Sequence, residues 1–127
     1  MVNHVTQGSY PSAVDWFQTR ASGVSARYVV RSWPGQVAQC VDHANIAWHA
    51  GTRQANRRSV GIEHEGYFDD PVWFATRMYR SSAKLVAHTC SWYGIPMDRR
   101  HIVGRYEASY TECLGPWWWL DYYMRLV

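Results

Sequence analysis

Residues 46–67 read IAWHAGTRQANRRSVGIEHEGY, and the reading of this stretch decides the fold. Its second half, Ser59 to Glu65, alternates, with Val60, Ile62 and His64 on one side and Gly61, Glu63 and Glu65 on the other. Period-two alternation predicts a strand. A carboxylate on an internal strand is rarely buried without a partner, which marks Glu63 as a candidate. The first half holds a short aromatic segment ending at Gly51. The polar, basic run Arg53 to Arg58 then reads as a solvated connection.

Towards the C-terminus, Asp69-Asp70-Pro71 predicts a helix start, a cap followed by proline in the first turn. That helix is expected to run to about Trp92, with Phe74, Met78 and Leu85 on its apolar side, before Gly94 and Pro96 end it. His101-Ile102-Val103 reads as a short strand, and Gly104 frees the chain into a polar loop holding Arg105, Glu107, Glu112 and Cys113. Loops at strand ends are where a rigid scaffold presents chemistry. Cys113 there is a thiolate ligand, a nucleophile, or a small apolar side chain tucked under the loop. The ring-rich segment Trp117 to Val127 predicts a terminal helix.

Towards the N-terminus, Val24 to Arg31 alternates as a half-buried strand, Pro34-Gly35 turns, and Gln36 to Val41 returns as its hairpin partner. Ser12 reads as a helix N-cap with Asp15 behind it, and Val14, Trp16 and Phe17 form the apolar side of a helix ending near Arg20. Met1 to Val5 reads as a strand, which places His4 at or near a strand end. Strands interleaved with helices predict an α/β fold, a mixed β-sheet flanked by helices.

The chain has 127 residues, a length that suits one domain spanning 1–127. It is 47% hydrophobic and 18% charged, the balance of a folded protein rather than a disordered one. Only one of its thirteen Lys and Arg residues is a lysine, so its cations are nearly all planar forks suited to carboxylate or phosphate. The arginines are scattered and no nucleic-acid motif is present, which argues against a nucleic-acid partner. Three cysteines, at 40, 90 and 113, argue against a disulfide framework. With no signal peptide and no long apolar run, the expectation is a cytoplasmic protein with no membrane partner, acting outside the cell only after lysis or non-classical release.

The segments HVTQGS, SARYVVRSWPGQVAQ, IAWHAG, RSVGIEHEGY, YGIP, HIVG and GPWWW, in this order, resemble the zinc-dependent N-acetylmuramoyl-L-alanine amidases. That group includes T7-type lysozyme, the AmpD-like amidases and the peptidoglycan recognition proteins. The resemblance covers nearly the whole chain and implies the fold of that family. It also implies a zinc site in which His4 is the first ligand and Cys113 the third. The second ligand would follow Gly104, where this chain has Arg105, a side chain with no lone pair to offer. Arg27 stands where the hairpin motif has His, and Thr111 and Ala26 replace a Lys and a Tyr found in other members. Glu63 keeps the context of the acid/base carboxylate. Trp48 and His49 match the pocket wall, and Arg27 and Tyr28 of the hairpin are expected to contact substrate beside them.

Three readings follow. In the first, a pocket without zinc or other cofactor acts on an amide of a peptide-like small molecule or peptidoglycan fragment. Cys113 is then the nucleophile, His4 its base, Glu63 the orienting or acid/base carboxylate and Arg105 a charge that lowers the thiol pKa or binds an anion. Such a pocket performs hydrolysis, acyl transfer or cyclisation. In the second, an unrecognised third ligand completes a zinc site and the chain is an ordinary peptidoglycan amidase. In the third, the chain binds a peptide or peptidoglycan without catalysis, reading a carboxylate through Arg27 and Arg105.

Overall fold

The structure, a computed structural model, describes residues 1–127. Five strands form one mixed sheet: β1 (Val2–Val5), β2 (Tyr28–Val30), β3 (Val37–Gln39), β4 (Gly61–His64) and β5 (Val103–Gly104). Their order is β3-β2-β4-β1-β5. β1 runs parallel to both β4 and β5, β2 is parallel to β4, and only the β2–β3 hairpin is antiparallel. Helices α1 (Tyr10–Gln18), α2 (Arg53–Arg58), α3 (Thr76–Tyr93), α4 (Arg105–Ala108) and α5 (Leu120–Met124) complete the chain.

Both faces of the sheet centre are covered, as a largely parallel sheet requires. On one face Val29 packs with Tyr10 and Ala13 of α1. On the other, Tyr28, Val30 and Ile62 join Met78, Val86, Leu114, Trp118 and Tyr123 in the main core. Every residue of β1 and β2 is therefore buried, although the alternation of residues 24–31 predicts one solvated face. The chain of residues 24–27 leads into β2 instead of extending it.

The helix boundaries differ from expectation for local reasons. α1 starts three residues early: Ser9 is its N-cap, Ser12 N–H donates to Ser9 Oγ at 3.4 Å, and Pro11 sits in the first turn. Asp70 caps a single 3-10 turn, Pro71–Trp73, and α3 begins only at Thr76. Its buried positions Met78, Tyr79, Ser82, Ala83, Val86, Thr89 and Cys90 follow one helical face, and Gly94 ends it in the left-handed region. Residues 53–58, expected as a connection, form α2, whose N-cap Thr52 Oγ1 accepts from Ala55 N–H. α2 has no buried residue and hence no apolar stripe to announce it. The last strand is displaced too. Val103–Gly104 pair with β1, while His101 is exposed on the Asp98 carboxylate. No helix is long and apolar enough to cross a membrane.

Candidate active site

Parallel pairing of β1 with β4 puts His4 opposite Glu63. Their side chains approach to 3.7 Å, His4 Nδ1 to Glu63 Oε1. His4 Nε2 lies 3.0 Å from His49 Nδ1, and His49 Nε2 lies 3.2 Å from Ser59 Oγ. The direction of these bonds follows from their end point. Ser59 donates its hydroxyl proton to Ala55 C=O, so towards His49 it accepts. His49 Nε2 therefore carries the proton and Nδ1 accepts from His4 Nε2–H. Both imidazoles are neutral, because burial lowers His49 to about 4 and holds His4 well below its ordinary value. This leaves His4 Nδ1 bare beside Glu63.

His49 is held in place from three directions. Its backbone N–H and that of Ala50 both donate to Asn56 Oδ1 of α2, at 3.1 and 2.6 Å. Its ring lies flat over Gly61, where a Cβ would come within 2.3 Å of His49 Cγ. The glycine at the start of β4 is thus a requirement of the site.

Burial raises the Glu63 carboxyl to about 8, against the opposing pull of the Arg105 cation. Its Oε2 is buried with no hydrogen-bond partner. Glu63 also lines a cleft of about 300 Å³, walled by Trp16, Phe17, Val24, Trp48 and His49. Neighbouring Glu65 is a different kind of acid: its two oxygens accept Tyr10 N–H and Ser32 N–H at 2.7 and 2.8 Å, tying α1 to the end of β2.

Cys113 sits behind this group. Its Sγ accepts Val5 N–H at 3.3 Å, and burial pushes the thiol up to about 11. Both His4 ring nitrogens are directed elsewhere, so no base is bonded to the thiol. Arg105, the first residue of α4, donates to Ser109 Oγ, and its guanidinium lies against Gly51. Its charge disfavours protonation of His4 and His49 and favours the ionised forms of Glu63 and Cys113.

The structure brings His4, Glu63, His49 and Trp48 to one cleft, with Cys113 and Arg105 adjoining. It does not bring Arg27 and Tyr28 there. Arg27 is buried and donates to Asp42 C=O and Asn45 C=O, both at 2.6 Å, so it clamps a loop rather than reading a ligand or pairing with Glu63. Tyr28 is buried in the main core, and its OH reaches out to exposed His43, bonding Nε2 at 2.5 Å. Sequence reasoning missed Trp16 and Phe17 as cleft walls, taking them for a buried face, and missed Ser59 and Asn56 as supports. Trp16 is 51% exposed on a helix that buries only Tyr10 and Ala13, and a large ring left exposed beside a cleft is the signal that finds it.

The donor set does not fit a zinc ion. Nowhere do three His, Cys, Asp or Glu side chains converge as a cation cage, and Arg105, where the family resemblance leads one to expect the second ligand, has no lone pair to offer.

A profile of the N-acetylmuramoyl-L-alanine amidase family matches residues 1–116. N-acetylmuramoyl-L-alanine amidase A of Achromobacter lyticus is 33% identical over 81% of this chain, which spans 62% of that protein's length. Among solved structures, amidase LysC of Clostridium intestinale superposes with a TM-score of 0.80 at 19% identity, over 98% of this chain and 80% of that one. A selenomethionine derivative of AmpD gives 0.77 at 23% identity, over 99% and 83%. The sheet order, the paired His4 and Glu63 and the profile match agree: this chain belongs to the N-acetylmuramoyl-L-alanine amidase family.

Proposed function

We propose that this chain hydrolyses the amide joining N-acetylmuramic acid to L-alanine in peptidoglycan or its fragments, with Glu63 as the acid/base group. The observation that carries this reading is geometric. A carboxyl on the wall of an aromatic cleft keeps one buried oxygen free of any protein partner while its other oxygen faces a bare imidazole nitrogen. A buried acceptor without a partner costs about 1–3 kcal/mol, a strain that use in catalysis explains. In the proposed step, Glu63 removes a proton from water as the oxygen attacks the amide carbon. It then returns that proton to the nitrogen as the C–N bond breaks. Arg105 supplies the positive charge that offsets the developing oxyanion.

Family membership supports hydrolysis, and nothing in the cleft favours acyl transfer or cyclisation over it. A thiol held near 11 with no base bonded to it is a poor nucleophile, so the reading runs through Glu63 and leaves Cys113 to hold the end of β1. One observation favours a second reading, a binding module without turnover: the cation at the second ligand position.

The test is release of L-alanyl peptide from an N-acetylmuramoyl-L-alanyl peptide by purified chain in excess chelator. Turnover should persist, and Glu63→Gln should reduce it at least about 100-fold without changing the melting temperature. Tight binding with no turnover at any metal concentration would transfer the conclusion to the second reading.

A further inference from the structure

Gln7, in the loop leaving β1, is the one residue other than glycine with a positive φ, 54°. The left-handed region crowds a Cβ against the following carbonyl, and glycine or asparagine fits it better than glutamine. The loop holds Gln7 there from both sides. Thr6 N–H donates to His64 C=O at 2.9 Å, Gly8 and Gly66 exchange backbone bonds at 3.2 and 3.1 Å, and Thr6 Oγ1 donates to Gly8 C=O at 2.7 Å. None of these bonds uses the Gln7 carboxamide, so the turn needs the backbone of residue 7 and not its side chain.

That side chain lines the cleft of Glu63, together with Trp16 and Phe17 of α1. Apart from Glu63 no charged side chain lines this cleft, since burial keeps His49 neutral. The remaining polar side chains there belong to Thr6, Gln7, Ser12 and Ser25. Thr6 Oγ1 is already bonded to Gly8 C=O, and Ser25 Oγ already accepts Trp48 N–H at 2.9 Å. The Gln7 carboxamide is free to meet a ligand. A wall of rings, hydroxyls and one carboxamide suits a neutral sugar, whose C–H face lies on aromatic rings while a few placed groups bond its polar substituents. A strained residue whose side chain the fold does not use is expected at a ligand contact.

We infer that Gln7 is a specificity residue of the cleft and reads the acetamido group of the muramic acid ring. A carboxamide presents N–H and C=O side by side, and an acetamido group presents the complementary C=O and N–H, so two hydrogen bonds form together. The acetamido methyl and the sugar face then lie towards Trp16 and Phe17. This rests on the amidase reading for what enters the cleft, and it adds which substituent is recognised and by which side chain.

Calorimetric titration of the purified chain compares N-acetylmuramoyl-L-alanine with the analogue bearing a hydroxyl in place of the acetamido group. Both substituents are neutral, and binding is read whether or not the amide is cut. Wild type should bind the acetamido compound about tenfold more tightly. Gln7→Gly should bind the two alike with no fall in melting temperature, because glycine enters the left-handed region freely. Gln7→Asn tolerates the same backbone and draws the carboxamide back by a methylene, so it too should lose the preference. A loss confined to Gln7→Gly would assign the effect to backbone freedom and overturn the contact. Equal binding of the two compounds by wild type would overturn it as well, as would a preference that survives Gln7→Gly. Absence of turnover with a Gln7-dependent preference intact would instead remove the hydrolytic reading and leave the contact standing.

Discussion

At the scale of single residues, the site depends on which groups are neutral. A chain of bonds from Ala55 C=O through Ser59 and His49 fixes the His4 tautomer and turns its bare nitrogen towards Glu63. Gly61 makes this possible, and Gly61→Ala sets a methyl against a ring that cannot retreat, since Asn56 and Ser59 hold it. The expected cost is about 1–3 kcal/mol, read from the urea midpoint, together with loss of most turnover. Gly8→Ala is the matching control, because a Cβ there meets nothing within 4 Å. Glu63 gives a second test. As a base it must be ionised, and burial raises it to about 8, so turnover should rise with pH up to about 8 and then level. A flat profile between pH 6 and 8 would exclude Glu63 as the base. The strand positions of His4 and Glu63 were legible in the sequence, Glu63 as a carboxylate on an alternating internal strand and His4 at the end of a short apolar one. Ser59 and Asn56 were not, since nothing local distinguishes a serine or asparagine that supports an imidazole from one that faces solvent. Arg27 and Tyr28 were expected at the cleft from their place in the hairpin motif, and a motif position does not say what covers a side chain: Arg27 is taken up by the Asp42 and Asn45 carbonyls and Tyr28 by His43.

Among elements, those that bury an apolar face were readable and those held by polar contacts were not. α3 declared itself by period, whereas α2, RQANRR, carries no apolar stripe and owes its place to Thr52 and Asn56. A polar thread also joins elements through the core. Tyr123 of α5 donates to Ser82 Oγ of α3 at 2.7 Å, Ser82 donates to His64 Nε2 at 2.6 Å, and His64 Nδ1–H donates to His4 C=O at 2.8 Å. Since His64 Nδ1 must donate to a carbonyl, every direction in the thread is set. Removing the outer donor with Tyr123→Phe leaves Ser82 one partner short and should cost about 1 kcal/mol, read from thermal or urea unfolding. The thread also sets a pH dependence. Burial lowers His64 to about 4 in the folded chain, below its ordinary 6.5, so between these values the unfolded chain binds more protons. Stability is then complete above about pH 6.5 and is lost as pH falls towards 4. His49 and His4 act in the same direction. Glu63, raised to about 8, acts in the opposite direction, so the measurement is made on Glu63→Gln. There, a melting temperature unchanged between pH 7 and 4.5 would contradict the neutral assignment of all three histidines.

For the whole molecule, the sheet order explains why the family was recognisable and where its metal ligands would gather. β4, β1 and β5 lie side by side, so Glu63, His4 and the residue after Gly104 share one end of the sheet, and the Tyr106 N–H bond to Cys113 C=O at 2.9 Å brings the fourth position alongside. That arrangement is global, set by widely separated sequence segments, and is legible because the segments occur in order. Arg105, where the family resemblance leads one to expect a His, is a local difference within an intact scaffold. The scaffold should therefore accept the missing ligand. Arg105→His places an imidazole at the start of α4 and removes the cation that opposes a divalent ion. With His4 and Cys113, that imidazole completes a three-donor set of the ordinary kind. The variant should retain close to one zinc per chain after dialysis against micromolar zinc, and added zinc should raise its melting temperature by mass action. Wild type under the same conditions should retain far less and show no shift. Stoichiometric zinc in wild type would show that another side chain already supplies the third donor, and the metal-independent reading of Glu63 would fall with it.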